Sequence, residues 1–192
     1  MSTGKFKWLY IKACRPQSAE FAEFIKRHGK LHAMGDNCRI NFAANITDPE
    51  YVSLGNNVGL SQCNLFGHDG VVAMLNQAYN MKADSVGKIV IGNNVYVGHG
   101  AIILPGVHIG SNVIVAAGAV VNRNLPDGVI VAGTPAKVIG NTAEYAQRLK
   151  ERTKTLPWRH LIENRKSAFD PRVEKELVSI RVKHFYPDAK IG

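Results

Sequence analysis

The stretch that most constrains the fold is Ile91–Pro126, in which a β-branched aliphatic residue recurs at every sixth position. A period of six fits neither a helix, with about 3.6 residues per turn, nor a single strand, whose side chains alternate with a period of two. It indicates short strands joined by turns into stacked, three-sided coils of about 18 residues each. The series consists of Ile91, Val97, Ile103, Ile109, Val115 and Val121.

A second apolar residue follows each member of this series by four positions, and both are predicted to point into the core of the coil. These residues are Val95, Ala101, Val107, Val113, Ala119 and Leu125. The spacing of six also relates Met34, Ile40 and Ile46, and then Leu54, Leu60 and Phe66 after two extra residues near Asp48. We therefore predict four to five coils that end near Gly140.

A tetrapeptide with Gly in second place and Asn in fourth recurs where successive coils would begin. It occupies residues 34–37, 54–57, 91–94 and 109–112. Gly and Asn both tolerate positive φ at little cost, so the repeat predicts a tight turn at one corner of each coil.

The spacing is interrupted once on a large scale, between Phe66 and Ile91. The extra residues, 68–87, are predicted to form a loop extruded from the coil, and such loops often carry function. Val71, Met74 and Tyr79 make this loop unusually apolar. We expect it to lie against another surface, such as a neighbouring subunit.

The segments on either side of the coil are predicted to be helical. Residues 17–29 fit a helix capped by Ser18, residues 143–155 a charged helix, and residues 171–183 a third helix. The inward residues are expected to be Tyr145 and Leu149 in the charged helix, and Val173, Leu177 and Ile180 in the last one. The expected organisation is an N-terminal helical segment (1–30), the coil domain (31–140) and a C-terminal helical extension (141–192).

Composition limits the class of protein. The chain has 192 residues, enough for one domain with appendages, and no apolar run of the length that spans a membrane. The segment Lys5–Lys12 is too short and interrupted for a signal-peptide core, so a cytoplasmic protein is expected. Cys14, Cys38 and Cys63 are widely spaced, which argues against a disulfide framework and a zinc ribbon, and Cys38 is predicted to be a buried thiol.

The formal charge of +9 is unevenly distributed. Residues 31–140 contain 5 Lys or Arg and 6 acids, whereas residues 1–30 contain 7 and 2, and residues 141–192 contain 12 and 7. The coil is therefore nearly neutral and its flanks are basic. These flanks fit a solvated surface, an anionic ligand or peripheral contact with an anionic membrane. Nucleic acid is not expected, since no groove-reading or stacking motif is present.

Four motifs of this chain occur in a known family. The sequences of residues 91–98, 103–110, 116–121 and 132–139 resemble those of the hexapeptide-repeat acyltransferases, in particular the galactoside and maltose O-acetyltransferases and the xenobiotic acetyltransferases. The resemblance covers roughly half of the chain. It implies an all-β fold, a left-handed parallel β-helix, although periodicity alone does not give the handedness. It also implies a homotrimer with active sites between subunits.

The resemblance also implies the residues of the active site. His68, which opens the long loop, takes the place of the family's catalytic histidine. An imidazole can take the proton of an acceptor hydroxyl as it attacks a thioester, without an acyl-enzyme. Asn41, Asp69 and Tyr96 are expected to bind the acceptor, although turn chemistry explains Asn41 equally well and core packing could explain Tyr96.

The expected co-substrate is acetyl-CoA, with no metal. His99 stands where the family places a backbone N–H that can stabilise the oxyanion, although the family often has Ser there. Ala117, Asn122 and Ala132 are expected to contact the coenzyme. Arg123 and Lys137 are expected to pair with its phosphates.

Other members of this fold fit less well. A γ-class carbonic anhydrase needs histidines five residues apart, but Leu104 follows His99 at that distance. A serine acetyltransferase would need a long helical N-terminal domain, and a sugar nucleotidyltransferase would need a separate nucleotide domain.

The expected function is transfer of an acetyl group to a hydroxyl of a sugar or polysaccharide precursor, including a nucleotide sugar or a lipid-linked sugar. N-acetylation of an amino sugar and O-acetylation of an antibiotic are alternatives on the same scaffold. A non-enzymatic β-helix that binds anionic partners through its basic flanks is a further alternative.

Overall fold

The computed structural model describes residues 9, 11–166 and 169–187. Residues 5–8 and 10 of the expected non-signal segment lie outside this description. The chain divides into two compact units, residues 1–142 and 143–192. Among the described residues, the first unit contains fourteen short strands, and the second contains most of the helical extension.

The first unit is a three-sided parallel β-helix. Its strands are β1 (Ala33–Met34), β2 (Arg39–Ile40), β3 (Asn45–Ile46), β4 (Val52–Leu54), β5 (Gly59–Leu60), β6 (Asn64–Leu65), β7 (Ile89–Ile91), β8 (Tyr96–Val97), β9 (Ile102–Ile103), β10 (His108–Ile109), β11 (Ile114–Val115), β12 (Val120–Val121), β13 (Val129–Ala132) and β14 (Lys137–Asn141). From β1 to β12 each strand belongs to the next of three sheets in turn, whereas β13 and β14 lie in the same sheet as β11.

Three sheets result from this rotation. Sheet A has the order β1-β4-β7-β10, sheet B the order β2-β5-β8-β11-β13-β14, and sheet C the order β3-β6-β9-β12. Neighbouring strands are parallel except β13 and β14, which are antiparallel. We name the corners between sheets the A–B, B–C and C–A edges. The B–C edge contains residues 41–43, 61–62, 98–100, 116–118 and 132–133, and the C–A edge residues 47–48, 66–68, 104–106 and 122–124.

The apolar residues of the six-residue period form the core, as predicted. Each β-branched residue of the series from Ile91 to Val121 is at most 2% exposed. Each apolar residue that follows one of them by four positions, from Val95 to Leu125, is at most 6% exposed. Cys38 and Cys63 are buried in the same core, and burial raises the pKa of the Cys63 thiol to about 12. The prediction of a buried Cys38 is confirmed.

The recurrent tetrapeptide forms the A–B edge, but its Gly and Asn act differently. Asn37, Asn57, Asn94 and Asn112 have φ between 55° and 58°, whereas the preceding glycines do not have positive φ. A Cβ on Gly92 would lie 2.8 Å from the carbonyl carbon of Gly110 in the next coil. The glycine is therefore required by close stacking, and the asparagine by the left-handed turn.

Helix α1 (Ser18–His28) covers the first coil. Phe21 and Ala22 of this helix are 1% exposed and belong to the core cluster of the β-helix. Gln17 caps the helix in a reciprocal capping box with Glu20, so the prediction of Ser18 as the cap is wrong by one residue. Gln17 is the N-cap because the carboxylate of Glu20, three residues later, accepts a hydrogen bond from the Gln17 N–H.

The inserted loop, residues 68–87, does not disturb the stacking of the coils. Val52 pairs with Ile89, so sheet A continues directly across it. The base of the loop is closed by two backbone hydrogen bonds, from Gly87 N to Gly67 O (2.8 Å) and from Asp69 N to Ser85 O (2.9 Å). Inside the loop lies helix α2 (Val71–Ala78), which was not predicted from the sequence.

The second unit has its own small core. Helix α3 (Thr142–Lys154) starts at the unit boundary and is followed by α4 (Arg159–Glu163) and α5 (Pro171–Phe185). Leu177 is fully buried with Trp158 and Leu161, and Val173 and Ile180 pack on this cluster as predicted. Tyr145 and Leu149 are 45% and 47% exposed, so their predicted inward position is wrong. No helix among the described residues has the length and apolar character needed to cross a membrane.

Candidate active site

His68 lies on the C–A edge, where the chain leaves the coil for the inserted loop. It follows β6 by three residues and forms an isolated antiparallel bridge with Val86 at the loop base. Its side chain is 50% exposed. The closed loop base therefore fixes the backbone of His68 while its imidazole remains accessible.

Asp48 holds the imidazole of His68. It occupies the same edge one coil earlier, directly before a 3₁₀ turn at Pro49–Tyr51. Its Oδ2 lies 2.6 Å from His68 Nδ1. An ionised carboxylate can only accept a hydrogen bond, so Nδ1 must carry the proton and donate it to Asp48. In a neutral imidazole this leaves Nε2 as the free proton acceptor.

The electrostatics of Asp48 support this assignment. Partial burial acts to raise the pKa of Asp48, but hydrogen bonds from Thr47, His68 and the Gly67 N–H outweigh it, and the pKa is lowered. Thr47 Oγ1 donates to Asp48 Oδ2 at 2.7 Å. The carboxylate is therefore charged at neutral pH and remains available as the acceptor for Nδ1–H.

His68 borders a cavity of about 380 Å³. Its lining consists of Thr47, Phe66, His68, Asp69, Gly70, Leu104 and Pro105. Asp69, which was predicted to bind the acceptor, lies in this cavity, and its Oδ1 accepts a hydrogen bond of 3.0 Å from Val71 N at the start of α2. Asp69 therefore organises the loop with one carboxylate oxygen and faces the cavity of His68.

The residues predicted to contact the thioester lie on the other side of sheet C, along the B–C edge. His99 and Ala117 are the middle residues of stacked turns, linked by the bond from Gly118 N to His99 O at 2.8 Å. Within the described part of the chain, the N–H groups of His99 and Ala117 have no hydrogen-bond acceptor. Such exposed N–H groups can stabilise an oxyanion or bind an amide-containing arm.

Asn41 and Tyr96 are brought together at a second cavity of about 360 Å³ on the outer face of sheet B. Asn41 Oδ1 accepts a hydrogen bond of 2.9 Å from Ala43 N, so the amide does shape a turn, as the alternative interpretation stated. Tyr96 is 52% exposed, which rules out core packing as its role. Neither residue lies in the cavity of His68.

The predicted residues thus fall into two groups on opposite edges of sheet C. The group on or next to the C–A edge consists of His68, Asp69, Asn122 and Arg123. The group on the B–C edge consists of His99, Ala117 and Ala132, with Asn41, Tyr96 and Lys137 nearby. Lys137 is placed there by its pairing with Ala132. One face of the coil is about 15 Å wide, so the two groups do not meet within one chain.

Two residues that orient His68, Asp48 and Thr47, were not predicted from the sequence. Asn45 lies on the outer face of sheet C, where its Nδ2 donates to Asn64 Oδ1 at 3.3 Å. A signal for Asp48 was present, because the six-residue spacing also slips by two residues there. Both irregularities of the period therefore fall on the C–A edge, one coil apart.

A family model and a curated relative identify the class of protein. The model described as "Bacterial transferase hexapeptide (six repeats)" matches residues 88–123. Protein CapG of Staphylococcus aureus is 39% identical over 149 residues, which cover 76% of this chain and 84% of that protein. The chain belongs to the hexapeptide-repeat transferases. It is an acyltransferase, and membership in the family implies that the β-helix is left-handed.

Two further proteins place this hexapeptide-repeat acyltransferase among its relatives. The 2,3,4,5-tetrahydropyridine-2,6-dicarboxylate N-acetyltransferase of Staphylococcus carnosus (strain TM300) is 45% identical over 84 residues, 44% of this chain but only 34% of that protein. A galactoside acetyltransferase in complex with coenzyme A superposes with a TM-score of 0.52 at 22% identity, covering 75% of this chain and 81% of that one. The second likeness concerns the fold.

Proposed function

We propose that this acyltransferase moves an acetyl group from acetyl-CoA to a hydroxyl of a sugar or polysaccharide precursor, with His68 as the general base. The observation that supports this most strongly is the bond between His68 Nδ1 and Asp48 Oδ2 (2.6 Å), which leaves Nε2 free beside a cavity. A hydroxyl is a poor nucleophile at neutral pH, and a positioned imidazole supplies the proton acceptor it needs.

The reaction follows from this arrangement. Nε2 of His68 takes the hydroxyl proton as the oxygen attacks the thioester carbonyl, while the charged carboxylate of Asp48 stabilises the imidazolium that forms. The tetrahedral intermediate collapses, the C–S bond breaks, and the proton on Nε2 passes to the departing thiolate of CoA. No side chain is acylated, so no Cys or Ser nucleophile is required.

Acetyl-CoA is proposed as the donor. The galactoside acetyltransferase of the same fold is a complex with coenzyme A, and the relative from Staphylococcus carnosus is an N-acetyltransferase. The free N–H groups of His99 and Ala117 can hold the thioester oxygen and the pantetheine arm. Ala132 and Lys137 continue this edge, and Arg123 with Asn122 can meet phosphates from the C–A edge of a neighbouring copy.

The site is proposed to form between protomers of a homotrimer. A reacting carbonyl must touch both the base and the oxyanion donor, and His68 and His99 lie on edges about 15 Å apart in one chain. Two copies that bring the C–A edge of one against the B–C edge of the other satisfy both requirements. The exposed side chains of Met74 (55%) and Tyr79 (72%) on the loop provide apolar surface for such contact.

N-acetylation is the second candidate, because the relative with 45% identity over 84 residues carries that activity. An amine must be unprotonated to attack, whereas a hydroxyl must lose its proton during attack. The amides of Asn45 and Asn64 near the C–A edge suit either acceptor, since an amide both donates and accepts hydrogen bonds.

The proposal is tested by assaying acetyl-CoA consumption with sugars, amino sugars, nucleotide sugars and antibiotics, and by locating the acetyl group by mass spectrometry and NMR. An O-acetylated sugar is the expected product, and an N-acetylated one would support the second candidate. Tight binding to anionic vesicles with no transfer to any acceptor would overturn the proposal in favour of a scaffold.

A further inference from the structure

The cavity on the outer face of sheet B has a distinctive chemistry. It holds about 360 Å³ and is lined by Ser18, Asn37, Arg39, Asn41, Asn57, Val58, Gly59, Leu60, Ser61, Asn94, Val95, Tyr96 and Ile114. Amides and hydroxyls dominate this lining, and Arg39 is its one charged side chain. Hydroxyl-rich ligands are bound by such a combination of amide groups and an aromatic ring.

The charge of Arg39 is not compensated. None of the described residues that line the cavity is Asp or Glu, and the described part of the chain offers the guanidinium no ion pair or hydrogen bond. Asp36, the nearest acid in sequence, is engaged by Lys26 of helix α1. A guanidinium surrounded by neutral donors is a strong binding site for a carboxylate or phosphate.

Tyr96 forms a platform beside this cation. Arg39, Gly59 and Tyr96 are in register on neighbouring strands β2, β5 and β8. The absent side chain of Gly59 leaves room for the Tyr96 ring, since a Cβ there would lie 2.9 Å from its Cδ2. The phenol, the hydroxyls of Ser18 and Ser61, and Nδ2 of Asn41 have no partner among the described residues.

We propose that this cavity binds the acceptor, that the acceptor is a sugar carrying a carboxylate or a phosphate, and that Arg39 pairs with that anionic group. The inference rests on the proposed function, and it names the substrate class. Tyr96 covers the sugar ring, and the amide of Asn41 binds a hydroxyl. In the assembly described above this cavity, next to the B–C edge, belongs to the same composite site as His68 of the neighbouring copy.

The test measures sugar binding by calorimetry on the full-length protein without acetyl-CoA. Glucose, galactose and mannose are each compared with the corresponding uronic acid and 1-phosphate. We expect the anionic forms to bind at least about tenfold more tightly than the neutral sugar, and Arg39→Gln to abolish that difference while the neutral sugar is unaffected. Lys175→Gln, which removes an exposed positive charge in the second unit, should change none of these affinities.

A second variant distinguishes the contribution of the Tyr96 ring to sugar affinity from that of the Arg39 charge. Tyr96→Ala should weaken neutral and anionic sugars by the same factor. No binding of any sugar, equal affinity for neutral and anionic forms, or an unchanged preference in Arg39→Gln would overturn the inference.

Acetyl-CoA carries phosphates as well, so its affinity is measured on the same variants. Weaker acetyl-CoA binding by Arg39→Gln with unchanged sugar binding would assign Arg39 to the coenzyme and overturn the inference. Because these are binding measurements, their failure is distinct from a failure of acetyl transfer. Transfer to neutral sugars with no anionic preference would refute the acceptor class alone.

Discussion

A single carboxylate, Asp48, determines which nitrogen of His68 can act as a base. The 2.6 Å bond to Nδ1 fixes both the tautomer and the ring orientation. Because the pKa of Asp48 is lowered, its folded-state interaction is fully present at neutral pH and is lost only as the pH falls through that lowered pKa. Asp48 is thus a positioning residue that acts through His68.

Replacement of Asp48 by Asn tests this role. We expect kcat to fall by about 100-fold or more, since the neutral amide neither enforces the tautomer nor stabilises the imidazolium. In ¹⁵N NMR spectra the neutral ring of His68 should also lose its preference for the proton on Nδ1, because Asn cannot accept that N–H as the carboxylate does. Steady-state kinetics measure kcat, and ¹⁵N NMR of the His68 ring measures the tautomer.

Asp84→Asn is the matched control, since Asp84 is an exposed carboxylate of the inserted loop whose Oδ1 accepts from Ser85 N at 2.9 Å. Asn can keep that bond, so neither kcat nor the tautomer of His68 should change. A reduced kcat in Asp48→Asn with an unchanged tautomer of His68 would mean that Asp48 serves the fold rather than the imidazole.

At the scale of elements, three successive coils are linked by an asparagine ladder along the A–B edge. Nδ2 of Asn57 donates to Oδ1 of Asn94 at 2.9 Å, and Nδ2 of Asn94 donates to Oδ1 of Asn112 at 3.0 Å. Strands of two or three residues make few hydrogen bonds of their own. The ladder therefore contributes to the stacking as well as to the turn.

Asn94 permits a separation of these two contributions. Asn94→Ala loses the side-chain bonds and keeps a Cβ at φ 55° without the amide that makes this conformation tolerable for Asn, so we expect a destabilisation of about 2–3 kcal/mol. Asn94→Gly loses the same bonds without the steric penalty and should cost about 1 kcal/mol. Denaturant unfolding at one fixed protomer concentration measures the difference, and equal losses in both variants would refute the role of the left-handed turn.

The six-residue period predicted the strands of the coil because every coil needs an inward aliphatic residue at each sixth position. Ile91 to Val121 satisfy it. Tyr145 and Leu149 were placed wrongly because a helical pattern identifies an apolar stripe but not whether anything packs on it. The bond between Asp48 and His68 joins residues twenty positions apart, and only the stacking of two coils reveals it.

At the scale of the whole molecule, the predicted site residues do not come together in one chain because they lie on two different edges of the β-helix. His68 and Arg123 belong to the C–A edge, while His99 and Lys137 belong to the B–C edge or its neighbour. The sequence motifs indicated both sets but not the distance between them. If both edges serve one reaction, as we propose, a complete site requires two copies of the chain.

Co-expression of two inactive variants tests this sharing. His68→Ala removes the base on one edge, and Ala117→Trp blocks the exposed turn on the other. In mixed oligomers about a quarter of the composite sites combine two unaltered edges, so about a quarter of wild-type activity should return. No recovery in purified mixed oligomers would show that each site is built from one chain.

The central claim is that His68, at the interruption of the coil, is the base for acetyl transfer. The most direct test is to measure kcat/KM for acetyl transfer by His68→Ala, with coenzyme A affinity and oligomer mass determined on the same sample. The expected result is a loss of about 100-fold to 10,000-fold, with coenzyme A affinity and mass unchanged. Turnover close to that of the unaltered protein would contradict the claim.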